Sequence, residues 1–182
     1  MPASVRISSL PPVPPGSTLL QQLRGSGVDE VDCTGARLPL TVLSTLRQLP
    51  GLRLSGLSED AARALQVLQL AEAFNIPGIL RPLPFTVNAG DDGSLSLLPD
   101  RTANQSPLLG DPVAHAWTRG LLVTNLVLDL RHIEHVTSVL VAWLLQLATG
   151  IQPAPTRVLN PSPQAATQLR QLRLDHLMSI GA

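Results

Sequence analysis

The sequence predicts an α/β fold, and three observations support that class. Stretches with strand and helix patterning alternate along the chain, which is the order expected of a sheet with parallel pairs and helices packed on it. Hydrophobic residues make up 44% of the 182 and charged residues only 14%. That is well under the ~25% charge of an average domain, so there is ample material for a core and no signature of disorder. The same order of elements then returns in the second half, which puts two related units in one chain.

The elements follow in order. Residues 4–9 read as a short strand, followed by a connector holding Pro11, Pro12, Pro14 and Pro15. Ser17 offers a hydroxyl N-cap to a helix over residues 17–24, with Leu19, Leu20 and Leu23 at helical spacing. Residues 28–33 form a strand that stops at Thr34 and Gly35, residues 38–49 a helix, 52–55 a strand, and 58–74 a helix capped by Ser58. Pro77, Gly78, Pro82 and Pro84 end that run. Residues 85–98 read as a hairpin around Asp92 and Gly93, a pair that accepts the positive φ angles of tight hairpin turns. A polar stretch over residues 99–107 leads to a helix at 108–119, a strand at 125–130, a helix at 136–148, a strand at 156–159 and a last helix from Ser162.

The recurrence extends to individual residues. With an offset of 104, residues 53–76 lie over 157–180 with eight of 24 positions identical. The matches fall where structure needs them: Ser58 and Ser162 as N-caps, Ala61, Ala62, Leu65 and Leu68 over Ala165, Ala166, Leu169 and Leu172, and Ile76 over Ile180. With an offset of 97, Asp32 lies over Asp129, and Thr41, Val42 and Leu43 lie over Ser138, Val139 and Leu140. Caps, strand-end aspartates and spacing agree together, which points to duplication.

Charge and composition exclude several roles. Thirteen basic residues balance thirteen acidic ones, and the basic residues are all arginine, so no lysine is present. With two Phe, two Trp and no Tyr, neither a basic stripe nor stacking rings recommend nucleic acid as a partner. A single cysteine, Cys33, permits neither an intrachain disulfide nor a cysteine zinc ribbon, so a cytoplasmic location is expected. Prolines break residues 1–15, which therefore lack the apolar run of a secretory signal. The apolar stretch 136–148 falls short of the ~20 residues that span a bilayer, and no membrane insertion is expected.

Residues 126–144, a hydrophobic strand ending in Asp129 and Leu130, a short polar link, then Thr137, Ser138, Val139 and Leu140 opening an apolar helix, resemble the central motif of STAS domains. That family includes anti-sigma-factor antagonists and sulphate-transporter tails. The strand and helix from Arg157 through Ser162 and the closing phrase over residues 173–180 resemble the family as well. The resemblance covers residues 85–180 in full pattern and, through the repeat, 28–76 more weakly. It implies two STAS-like domains, each a small mixed β-sheet with helices packed on it: an abbreviated one over residues 1–78, lacking a full hairpin, and a complete one over 84–182.

The departures bear on function. Thr137 stands where the family has its second Asp, Ser138 matches the first hydroxyl residue, Val139 replaces the usual phosphoacceptor and Leu140 replaces Gly. A phosphate of about −2 charge at a helix N-terminus needs a hydroxyl to carry it, and Val139 has none. The first copy keeps one hydroxyl, Thr41, and has Val42 at the acceptor position. The resemblance therefore implies a lost phosphorylation switch, closest to the unphosphorylated branch found in bacterial phospholipid-transport ABC complexes.

Catalytic groups are sparse. His132, Glu134 and His135 could offer two imidazoles to a metal, yet they lie in the variable link between strand and helix, where a solvated loop is the simpler reading. Asp32 and Asp129 end strands, where α/β proteins often bind ligands, but such aspartates also hold the loop ahead of the following helix. No nucleophile elbow, phosphate loop or dinucleotide fingerprint occurs, and no cofactor is expected. The helix over residues 136–148 is apolar nearly all round, so it needs cover either from the first copy or from another protein, with Trp143 large enough to anchor either contact. The expected function is thus a non-enzymatic, cytoplasmic regulatory or accessory module. Its partner would be a protein, such as a sigma-regulatory protein, a kinase-like protein or a transporter ATPase, or a second copy in a homo-oligomer. The alternative is a small-molecule sensor, for an anion or lipid, at the strand-end loops.

Overall fold

The computed structural model describes residues 3–10, 19–78 and 81–181; the proline connector and the Ser17 cap lie outside them. In chain order the elements of the first half are β1 (Ala3–Arg6), α1 (Leu19–Ser26), β2 (Val28–Asp32), β3 (Leu38–Pro39), α2 (Leu40–Leu46), β4 (Arg53–Ser55) and α3 (Glu59–Val67). The second half holds β5 (Phe85–Ala89), β6 (Ser94–Pro99), β7 (Leu121–Leu122), β8 (Asn125–Asp129), α4 (Ser138–Gly150), β9 (Thr156–Leu159), α5 (Pro163–Gln171) and β10 (Ser179–Ile180). The mixed α/β class is as expected.

Strands β1, β2 and β4 form a parallel sheet with β2 in the middle. The second sheet runs β10-β9-β8-β6-β5, parallel except for the β5–β6 hairpin. Equivalent registers recur in the two: Val31 pairs with Leu54 in the first, and Leu128 with Val158 in the second. Just beyond, Cys33 N–H donates to Ser55 O at 2.8 Å and Leu130 N–H to Leu159 O at 2.9 Å. The helices that follow start alike, Ser58 Oγ accepting from Ala61 N–H at 3.1 Å and Ser162 Oγ from Ala165 N–H at 3.0 Å. They also stop alike, on the left-handed residues Gln69 and Arg173, both at φ 57°.

The strand expected over residues 4–9 ends at Arg6, where a 3-10 turn, Ile7–Ser9, takes over, and three expected helices differ as well. The run 58–74 ends as α3 at Val67 because Gln69 turns left-handed and Leu70 N–H reaches back to Leu65 O at 2.8 Å, a Schellman stop; a separate 3-10 turn, Glu72–Phe74, follows. The helix at 38–49 starts at Leu40, since Leu38 and Pro39 pair in parallel with Leu121 and Leu122. The stretch 108–119 is three 3-10 turns, Pro107–Gly110, Pro112–Ala114 and Ala116–Gly120. Pro112 has no N–H to continue the first turn, and Asp111 Oδ1 starts a new one by accepting from Val113 N–H at 2.8 Å. In the first half, no strand among the described residues matches β10. Gly181 N–H donates to Val158 O at 2.9 Å to hold that edge, whereas its counterpart, Pro77, has no N–H to give.

One continuous core unites the halves, from Ile7 to Met178. The cover for α4 comes from the 3-10 turns between β6 and β7. Trp117 and Trp143 are both buried, and both indole N–H groups donate to Ala114 O, at 3.2 and 3.0 Å. Phe85 lies against Trp143 with ring centroids 5.0 Å apart. The cover of Trp143 thus comes from residues 107–120 of the second half itself, and not from the first copy or another protein as expected from the sequence. Trp143 is an internal anchor, and Ala142 and Gln146 hold the outer side of the helix. The β3–β7 pair and Arg37 tie the halves further: Arg37 Nη1 donates to Gln152 O at 2.8 Å and Nη2 to Gly150 O at 2.9 Å, placing a cation at the C-terminal end of α4 where the helix dipole favours it.

Gly120 sets the closest approach of the halves. A β-carbon there would lie 2.5 Å from Ala61 N and 2.6 Å from Ala61 Cα, in the first turn of α3. Because the obstruction is backbone, Gly120→Ala should destabilise the protein by about 1–3 kcal/mol through overpacking. A lower urea midpoint with an unchanged slope is the expected observation.

Candidate functional site

The site expected from sequence centres on the end of β8, residues 130–137 and the start of α4. Asp129 is buried, and its carboxylate organises the turn. Oδ1 accepts from Arg131 N–H and from Asn160 Nδ2, each at 3.1 Å, while Oδ2 accepts from Arg131 Nε at 2.9 Å and from Arg131 Nη2. Burial opposes ionisation, but these donors and the guanidinium charge outweigh it and hold the carboxyl below its ordinary range. Asp129 thus holds a loop in place.

Every stage of that loop is tied down. Ile133 N–H donates to Leu130 O at 2.8 Å, and Ile133 and Val136 are buried. Ser162 Oγ donates to Glu134 O, Asn104 Nδ2 donates to His135 O at 2.6 Å, and Val136 N–H donates to Gln168 Oε1 at 2.9 Å. Thr137 caps α4, its Oγ accepting from Leu140 N–H at 3.3 Å and lying 3.3 Å from Asn104 Oδ1. The side chains of His132, Glu134, His135, Ser138 and Val139 stand out into solvent on this fixed backbone. Among the described residues, no three His, Cys, Asp or Glu side chains gather to hold a metal.

Beside this loop α4 and α5 leave a mostly apolar groove of about 470 Å³, floored by Val136, Val141 and Leu145 and rimmed by Ala142, Gln168 and Leu172. Leu172 is 53% exposed and Val139 38%. The first half places its equivalents differently. Asp32 Oδ1 accepts from Thr34 N–H at 2.9 Å, and the Thr34 bonds, with Arg6 nearby, lower its pKa. Thr41 and Val42 do not open to solvent as Ser138 and Val139 do. Val42 is fully buried, and the β5–β6 turn lies on Thr41, where a β-carbon on Gly93 would come within 2.7 Å of Thr41 Cγ2. The seven residues singled out from sequence therefore separate into groups: Asp129, Thr137, Ser138 and Val139 share one region, Trp143 is buried within α4, and in the first half Thr41 lies under the β5–β6 turn while Asp32 stays half-exposed at the end of β2.

Sequence reasoning missed Asn104, Arg131, Asn160 and Gln168 as the groups that lock the loop. Asn160 precedes Pro161, a turn signal that could have marked it, and it adopts a left-handed φ of 50°. Asn104 lies in a polar stretch with no periodicity, 31 residues from the carbonyl that it binds, and carries no local signal.

Because Asp129 titrates lower in the folded state than in the unfolded chain, its ionised form stabilises the fold above the ordinary carboxylate range of about 3.9, and that contribution is lost as pH falls through the depressed folded value. Asp129→Asn should lower the urea midpoint at neutral pH. The gap to the wild type should close as pH falls below about 4; a gap constant across that range would remove Asp129 as the titrating group.

No family model matches the chain, and no curated protein or solved structure matches it either.

Proposed function

We propose that the chain is a tandem, degenerate STAS-like protein and works as a non-enzymatic interaction module, a regulatory or accessory subunit in a partner-switching network or an ABC-transporter complex. The observation that carries the reading is the pairing of a backbone-locked loop, 131–137, with an exposed apolar groove between α4 and α5. Such a surface offers a partner fixed shape and desolvated contact at little cost in ordering. The matched registers, N-caps and left-handed helix stops at offsets of 97 and 104 support duplication.

The geometry also favours a module without a phosphate switch. Val139, at the family's phosphoacceptor position, is exposed and cannot accept phosphate, and Thr137 spends its hydroxyl on the cap, which leaves Ser138 as the exposed hydroxyl at the start of α4. The partner would be a sigma-regulatory protein, a kinase-like protein or a transporter ATPase, engaging Ser138, Val139 and the groove. No helix among the described residues is long and apolar enough to cross a membrane.

A second reading, an anion or lipid-headgroup sensor, has one observation in its favour. A hollow of about 380 Å³ beside the loop is lined by Arg101, Arg131, His132 and His135, with Glu134 the one carboxylate among its lining residues. A thermal shift with inorganic phosphate or glycerophosphate that Arg101→Gln abolishes would favour it over the module.

Ala142→Arg fills the groove from an exposed position, so the fold should persist while a partner loses about 10-fold or more in affinity. Quantitative affinity capture from the source cells, wild type against Ala142→Arg, is the test, together with intact-mass measurement. The expected result is a specific protein lost from the variant and no phosphate on the wild-type chain. Equal capture by both would overturn the groove as the interface, and stoichiometric phosphate on Ser138 or Thr41 would restore a regulated switch.

A further inference from the structure

A second site lies at the junction of the halves, away from the α4–α5 groove. A cleft of about 650 Å³ runs between α2, the end of α3 and the edge strand β5. That is within the range of about 300–1,000 Å³ usual for ligand sites. Its lining includes Arg47 and Arg81 and no acidic residue. On a chain of zero formal charge, two guanidinium groups facing one cleft without a lining carboxylate create a local field for anions.

The third wall supplies recognition of a different kind. In an antiparallel pair, hydrogen-bonded and non-hydrogen-bonded residues alternate. Asp100 N–H donates to Pro84 O at 3.0 Å at one end of the hairpin and Gly90 N–H to Ser94 O at 2.8 Å at the other. The residues between them that face β6 are therefore Thr86 and Asn88, paired with Leu98 and Ser96. Phe85, Val87 and Ala89 turn their N–H and C=O groups the other way, toward the cleft. Among the described residues, none bonds those groups. An unpaired row of this kind is a template for one more strand.

We propose that this cleft binds an acidic segment of a partner protein in extended form, added as a sixth strand along the outer edge of β5 with its carboxylates on Arg47 and Arg81. The charge of the lining selects an acidic segment, and the walls select a single strand. Residues of α2 and of the end of α3 stand across from β5, which leaves no room for a second sheet to align edge to edge, so a second copy of this chain does not fit. The protein itself already holds a carboxylate near the mouth: Asp91, in the β5–β6 turn, lies 3.8 Å from Arg47. Asp91 would compete with the incoming segment.

The test uses the full chain and a fluorescein-labelled, end-blocked hexapeptide of alternating glutamate and valine, read by anisotropy and amide hydrogen exchange. Saturable binding is expected, weakened about 10-fold by Arg47→Gln with Arg81→Gln and tightened several-fold by Asp91→Asn. The amides of Phe85, Val87 and Ala89 should gain protection, while those of Thr86 and Asn88, already in the ladder, should change little. Val87→Pro removes an outward donor without touching the β6 bonds and should weaken binding, with unchanged circular dichroism as the check on folding. The proposal is overturned if no saturable binding occurs up to about 1 mM peptide, if a lysine–valine peptide binds as well, if the arginine variants bind unchanged, or if protection appears away from β5.

Discussion

Two indole N–H groups converge on one carbonyl, Ala114 O, and the second half depends on that meeting. Trp117 and Trp143 bring the largest side chains of the chain to the same point, from a 3-10 turn and from the middle of α4. A buried indole must find an acceptor, since leaving the N–H unpaired costs about 1–3 kcal/mol. In α4 every backbone carbonyl near Trp143 is already used by the helix. The acceptor must come from outside, and Ala114 can supply it because Pro112 and Gly110 keep the segment from becoming a regular helix that would consume its own carbonyls. The irregular stretch between β6 and β7 is therefore the part that lets an almost wholly apolar helix be buried.

Once α4 is held from that side, its other contacts follow. Its N-terminus meets the loop from Asp129, and its C-terminus meets Arg37 of the first half, with β3 and β7 pairing close by. The burial of Arg37 lowers its pKa, and its Nε is enclosed without a partner among the described residues, a desolvation that the two carbonyl bonds and the helix dipole offset. Gly120 does the same work sterically, letting the first turn of α3 approach to backbone contact. The halves are held by packing, by a short parallel pair and by a guanidinium. That is why the core has no internal boundary.

How far the sequence could be read depended on whether the deciding partner was local. The hairpin at Asp92 and Gly93 and the caps Ser58 and Ser162 depend on neighbours within a few residues, and these are found as expected. Of the strand expected over residues 4–9, only the part up to Arg6 is one, Ile7–Ser9 being a 3-10 turn. The end of α3 was not legible because Gln69, unlike glycine, does not advertise a left-handed turn. The cover of Trp143 was open between the first copy and a partner protein, since the stretch 108–119 reads as a helix that would use its own carbonyls, and nothing in it says that Ala114 O will be needed 29 residues later. At the site, Asp129 and the Thr137 region could be picked out by pattern. The bonds from Asn104 and Gln168 could not, because they form across 31 and 32 residues of chain.

The starts of α2 and α4 carry a similar run of residues and meet different surroundings. Val42 and Val139 occupy equivalent positions, one residue past the surviving hydroxyl, yet Val42 is wholly buried and Val139 is 38% exposed. The β5–β6 turn lies on the start of α2, where Gly93 permits contact with Thr41, and among the described residues of the first half no hairpin precedes β2. The surface that the second half leaves open is the one that its own hairpin closes on the first. A protein that kept both helix starts would bury one to hold itself together and present the other, and the apolar groove beside Val139 is where that asymmetry leaves contact area unspent.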